Sequence, residues 1–129
     1  MKASRQILAT MALLMAIAPS AATAGDPRLG REAYDSRCGA CHSLDANRVG
    51  PSHRGVFGRR AGALADYTYS DALRESDVVW DDTNLERWLA DPEALIPGQR
   101  MNYRIGDAAI RGDIIAFLKQ ESSRDQGSD

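Results

Sequence analysis

Little in this sequence can bind a metal or cross-link the chain: among 129 residues there are two cysteines and two histidines. Cys38 and Cys41 are too close together for a disulfide that does not strain its loop, so no disulfide framework is expected. A structural zinc site needs four ligands, and beyond the two thiols only His42 and His53 remain, with His42 tied too tightly to Cys41 to close a tetrahedron easily. Aromatic residues make up 6%, with two phenylalanines, which is thin material for a self-sufficient core. No apolar run approaches the roughly 20 residues of a membrane-spanning helix. Basic runs are missing too: 16 Lys and Arg are scattered among 18 Asp and Glu, which leaves nucleic-acid binding without an electrostatic footing. Internal repeats and strand–helix alternation are also absent, and the length suits one domain.

The longest apolar run, residues 7–18, follows the basic Lys2 and Arg5 and precedes Ala22-Thr23-Ala24. A basic start, a short apolar stretch and an A-x-A site form a secretory signal, with cleavage after Ala24. Residues 1–24 are therefore expected to be a removed leader, 25–119 the folded domain, and 120–129, which are polar and without periodicity, a frayed tail. Losing Lys2 and Arg5 leaves 14 basic against 18 acidic residues, a formal charge of −4. The destination is the periplasm.

What the chain does have is Cys38-Gly39-Ala40-Cys41-His42, which uses both cysteines and sets a histidine directly after the second. This is the attachment signature of a c-type haem. Two thiols at i and i+3 lie on one side of a helical turn, so each can form a thioether to one porphyrin vinyl group. The histidine beside them can offer an imidazole nitrogen to the iron. A thioredoxin-type dithiol shares the CxxC spacing but needs a βαβ setting that this sequence does not provide.

Asp26 followed by Pro27 predicts a helix over 25–36, with Leu29, Gly30, Ala33 and Tyr34 forming its packing face. Residues 43–69 contain several glycines and Pro51 without a sustained period and read as a long loop. A loop of that length inside a compact domain is unusual, unless it wraps a flat apolar group. Ser70 caps a short helix to Glu75. Thr83-Asn84-Leu85-Glu86 reads as a capping box for a helix ending near Ala90, stopped by Asp91-Pro92. Residues 94–106 form a second loop, which holds Met101. From Asp107, Ile110, Ile114, Phe117 and Leu118 recur at helical spacing.

With these pieces in order the chain resembles the class I c-type cytochromes, and closely the bacterial members most similar to the mitochondrial carrier. CGACH (38–42), VGPSHRGVFGRRAG (49–62), YTYSDA (67–72), Trp80, LERWLADPEALIPGQRM (85–101) and DIIAFLK (113–119) carry the likeness. It implies an all-α cytochrome c fold whose first and last helices cross near Gly30, Tyr34, Ile114 and Phe117, with one covalent haem c wedged between the loops. It implies Cys38 and Cys41 as the thioether residues and His42 and Met101 as the axial iron ligands. Pro51 would receive the other His42 nitrogen on its carbonyl. Arg59, Tyr69 and Trp80 would bond the haem propionates with Tyr67 near them, and Tyr103 would lie at the exposed edge. Read from the residues alone, Met101 is just a methionine in a Pro-Gly loop, and Tyr69 and Trp80 are equally core aromatics.

The implied function is a monomeric one-electron carrier, not an enzyme, serving a respiratory chain. Its partners would be a cytochrome bc complex or dehydrogenase on one side and an oxidase or photosynthetic centre on the other. Rival readings are a dedicated electron-accepting subunit of one periplasmic dehydrogenase, or a haem peroxidase or gas sensor in which Met101 leaves the iron. Five departures from the common pattern stand out. Glu93 replaces a docking lysine, leaving Arg48, Arg60, Arg100 and Arg104 to make the edge locally positive. Leu73 and Trp88 make the Met101 side more apolar. Gln99 stands where a small hydroxyl residue bonds a propionate. His53, where a leucine often packs, is expected to face solvent or be satisfied in the core.

Overall fold

The computed structural model describes residues 24–127, so the expected leader, apart from Ala24, lies outside the described residues. Among the described residues five helices follow one another: α1 (Pro27–Arg37), α2 (Asp71–Arg74), α3 (Asp82–Ala90), α4 (Pro92–Leu95) and α5 (Ala108–Gln126). Among the described residues the only β pairing is a single antiparallel bridge between Arg60 and Val79.

Helix α1 begins as its sequence predicts. The Asp26 carboxylate accepts from Arg28 and Leu29 N–H, and Pro27 occupies the first turn, where a missing donor costs nothing. Asp26 N–H also donates to Asp113 Oδ1 at 2.7 Å, so this end is tied to α5. Of the expected packing face, Gly30 and Tyr34 are buried, whereas Leu29 is exposed. A Cβ on Gly30 would stand 1.9 Å from Asp113 O, so the two backbones touch at the crossing. Tyr34 and Phe117 continue the contact with ring centroids 5.3 Å apart, and Ile114 beside them is fully buried.

Three expectations need correction. Residues 120–126 are not a tail: α5 runs on to Gln126, and Glu121 and Ser122 are buried. Glu121 pairs with Arg54 at 3.6 Å and Arg124 at 2.6 Å, and Ser122 Oγ accepts from Phe57 N–H at 3.1 Å. Polar residues held by partners distant in sequence leave no apolar period to detect. The start of α3 is capped by Asp81, whose carboxylate accepts from Asn84 N–H at 2.8 Å, and Thr83 lies inside the helix. Asp91-Pro92 stops α3 as expected but also starts α4, because Asp91 caps it and Pro92 opens it.

Candidate haem site

The loops and helices surround one cavity of about 540 Å³ with a mainly apolar lining. All ten residues expected as thioether, axial or haem-contact groups line it: Cys38, Cys41, His42, Pro51, Arg59, Tyr67, Tyr69, Trp80, Met101 and Tyr103.

Helix α1 delivers the first group. Cys38 is its C-cap and donates its N–H to Tyr34 O, and His42 N–H donates to Cys38 O at 2.8 Å, so CGACH winds on as one more turn. Burial pushes the Cys38 thiol up to about 11, while Cys41 is exposed. Arg48 Nη1 donates to Gly39 O at 2.6 Å, stitching the loop to this turn.

His42 is buried, and its Nδ1 lies 2.8 Å from Pro51 O. A carbonyl only accepts, so Nδ1 carries the proton and Nε2 keeps its lone pair for a metal. Burial lowers the basicity of His42 and the bond to Pro51 opposes this, which leaves the neutral, ligating form at neutral pH. Gly50 makes room for the ring, since a Cβ there would meet His42 Cε1 at 2.1 Å.

The far wall comes from the long loop. Trp80 N–H donates to Arg59 O and Gly58 N–H to Trp80 O, so the single β bridge sets Arg59 and Trp80 side by side. Arg59 donates from Nη1 to Arg54 O and from Nη2 to Ser52 O. Its Nε is buried with no partner. A buried cationic N–H without an acceptor is costly, and the Arg59 side chain lines the cavity, so it sets a positive charge beside a space that an anionic group would suit. Tyr69 and Trp80 are buried. Tyr67 donates its hydroxyl to Val49 O at 2.7 Å, so it straps the loop as well as lining the cavity. The walls therefore fit a haem on two independent counts, a paired-thiol and imidazole donor set and a cationic side chain for an anionic edge.

Met101 lies on the loop between α4 and α5, partly buried, and Leu73 and Trp88 line the same space. Tyr103 is 41% exposed and Val49 76% exposed, so the cavity opens beside them. Of the arginines expected at the edge, Arg100 lines the cavity, Arg104 pairs with Asp91 at 2.9 Å, and Arg60 donates to Ser76 O and Arg74 O. Gln99 is not free to bond a propionate: all its amide capacity goes to Glu93 on α4 and to Met101 and Asn102 on its own loop. Ile105 was not visible as a site residue, because it sits in an aperiodic loop and is buried only once its N–H bonds Leu89 O at 2.9 Å.

His53 is core-satisfied, one of the two placements expected. Its Nδ1 is 3.0 Å from Tyr34 Oη, and its ring stacks on His42 with centroids 4.1 Å apart. Burial, helped by the positive charge of Arg59, pushes its pKa well below the ordinary value. The unfolded chain takes up this proton near pH 6.5 and the folded chain does not. Stability is therefore full above about pH 6.5 and falls beneath it by up to about 1.4 kcal/mol per pH unit for this one group. His53→Leu is expected to remove that part of the slope in urea unfolding compared at about pH 7 and about pH 5. Equal losses in parent and variant would exclude His53 as the source.

A helical chain that carries CxxCH at the end of its first helix and closes around a porphyrin-sized apolar cavity has the makings of a c-type haem protein. The cytochrome c family model matches residues 27–122. Cytochrome c of Arabidopsis thaliana is 36% identical over 102 residues, covering 76% of this chain and 91% of that protein. Cytochrome c2 iso-2 of Magnetospirillum fulvum is 45% identical over 85 residues, covering 64% and 88%. The solved structure of cytochrome cH from Methylobacterium extorquens superposes with a TM-score of 0.70 at 45% identity, covering 74% of this chain and 99% of that one. The chain belongs to the cytochrome c family, has its all-α fold, and is a haem-carrying electron-transfer protein rather than an enzyme. One covalent haem c is its cofactor, and other electron-transfer complexes are its partners. Among the described residues no helix is long and apolar enough to cross a membrane.

Proposed function

We propose that this protein is a periplasmic one-electron carrier whose haem is held by thioethers from Cys38 and Cys41 and ligated by His42 and Met101. The haem, once bound, supplies a single iron centre that gains and loses one electron. The chain supplies the rest. Pro51 O fixes the tautomer and angle of His42, and Gly50 admits the ring. Arg59 would set its positive charge beside a propionate, with Tyr69 and Trp80 completing that end and Tyr67 holding the loop over it. Apolar walls keep water out, so little has to rearrange when the charge changes. Tyr103 and Val49 mark the open side, where a partner would approach. The donor would be a cytochrome bc complex or dehydrogenase and the acceptor an oxidase or photosynthetic centre.

The observation that carries this reading is that the two thiols, the oriented His42, Met101 and the cationic side chain of Arg59 all line one cavity. Met101 is the one methionine outside the expected leader, which makes the test clean. Met101→Ala is expected to abolish the weak far-red sulfur-to-iron band of the oxidised protein and let carbon monoxide bind the reduced one. The reduction potential should fall on the order of 0.2 V, a fraction of the roughly 0.8 V that axial ligands span. A variant with the parent's band and potential would rule out methionine ligation.

A further inference from the structure

The loop that carries Met101 is held by an arrangement of side chains that the likeness to relatives did not anticipate. Gln99 is buried, 6% exposed. Its Oε1 accepts from Met101 N–H at 2.6 Å and from Asn102 N–H at 3.2 Å. Its Nε2 donates to Glu93 Oε2 and to Asn102 Oδ1, both at 3.1 Å. A primary amide has two lone pairs and two N–H groups, so the side chain is saturated and its orientation fixed, because a flipped amide would set donors against donors. Glu93 does double service, its Oε1 accepting from Gly98 N–H at 3.0 Å. Asn102 stands at φ +44°, the left-handed region asparagine tolerates, and turns the chain just past the methionine. Beyond it, Arg104 pairs with Asp91 and Ile105 N–H bonds Leu89 O, which anchors the far end of the loop to α3 and α4.

We propose that Gln99, oriented by Glu93 on α4, is the positioning residue for the Met101 sulfur: it grips the peptide N–H groups on both sides of the Met101 Cα and so slows the methionine's departure from the iron. This rests on the His42/Met101 ligation proposed above. The acid at position 93 then has a use in place of partner docking. Fixing the two N–H groups restrains the main-chain torsions from which the methionine side chain swings.

The experiment follows cyanide binding to the oxidised holoprotein at saturating cyanide, where the limiting rate reports loss of the sulfur ligand, together with the far-red sulfur-to-iron band. Gln99→Met keeps volume and burial but removes the grip, and is expected to raise the limiting rate about tenfold, the equivalent of about 1.4 kcal/mol. Glu93→Ala, at an exposed position, should raise it less. The exchanged pair Glu93→Gln with Gln99→Glu keeps the acceptor for Met101 and Asn102 N–H, the acceptor for Gly98 N–H and the bond between positions 93 and 99, and with the Asn102 amide turned to donate it should bring the rate back to the parent's. A parent rate in Gln99→Met overturns the proposal, because volume alone would then suffice, as does an exchanged pair as fast as Gln99→Met, because restoring the hydrogen bonds would then not restore the rate. If Gln99→Met does not fold, Glu93→Ala and the exchanged pair decide it by the same readout. A parent protein without the far-red band would sink methionine ligation itself and this proposal with it, whereas a parent with the band and variants at its rate would sink only the brace.

Discussion

Replacing Cys38 and Cys41 together by alanine, with any loosely held haem extracted, is expected to give a chain that has lost most of its helical circular dichroism and shows no cooperative thermal transition. The cavity these residues border is about 540 Å³. At about 24 cal/mol per Å³ of cavity, such a space costs on the order of 13 kcal/mol. That is as large as the whole net stability of an ordinary domain, about 5–15 kcal/mol. The buried set explains why the chain has nothing in reserve: Val56, Leu73, Leu85, Leu89, Ile105 and Leu118 are buried in the core and also line the cavity. Unlike a cavity left by one truncated side chain, this one cannot close by local relaxation, because its walls come from α1, α3, α5 and both loops. Intact-mass spectrometry would show haem mass on the parent and none on the variant. A variant free of haem that still melts cooperatively near the parent's temperature would mean the polypeptide folds without its prosthetic group.

The same dependence explains which parts of the molecule were legible in the sequence. Most features written in neighbouring residues read correctly, the capping box at Thr83 being the exception because Asp81 caps α3. Asp26-Pro27, Ser70 and Asp107 each cap the helix they announce, because capping is chemistry within four residues. The CGACH turn was equally local. Met101, Arg59 and Trp80 were legible only through the order of motifs, since a methionine in a loop or a tryptophan in a link carries no periodic signal. All three line the expected cavity.

What escaped notice depends on partners far away in sequence or on one residue serving two ends. Asp91 ends α3 and caps α4, and a reading that gives each residue one role sees only the stop. Glu121 is buried because Arg54 reaches it across 67 positions, so the end of α5 looked like a polar tail. Glu93 and Gln99 looked like departures from a docking and propionate pattern, and each turns out to satisfy the other. His53 looked like an ordinary histidine, and the sequence held no sign that Tyr34 and His42 would enclose it.

The helix crossing supplies the second large effect, and its sign is opposite to what helix propensity alone would give. Gly30→Ala in an isolated helix would be stabilising by up to about 1 kcal/mol. Here the added Cβ would stand 1.9 Å from Asp113 O and 2.9 Å from Phe117 Cβ. The first is a backbone atom, so no rotamer change can relieve the contact, and α1 and α5 have to separate. Overpacking of this kind costs about 1–3 kcal/mol and occasionally more, which leaves a net loss of about 2 kcal/mol and a melting temperature lower by roughly 10 °C. Gly112, in α5, is the control, because a Cβ there would meet nothing within 4 Å. Gly112→Ala is expected to raise stability by up to about 1 kcal/mol. Separation at the crossing also reaches the cofactor, since α1 ends on Cys38 and its last turn sets the CGACH geometry. Gly30→Ala should therefore also weaken the far-red sulfur-to-iron band, because moving His42 with its helix changes how the iron meets Met101. Calorimetry and spectra of the two alanine variants would decide it, and stability changes of the same sign at both positions would show that the crossing has slack the close backbone contact denies.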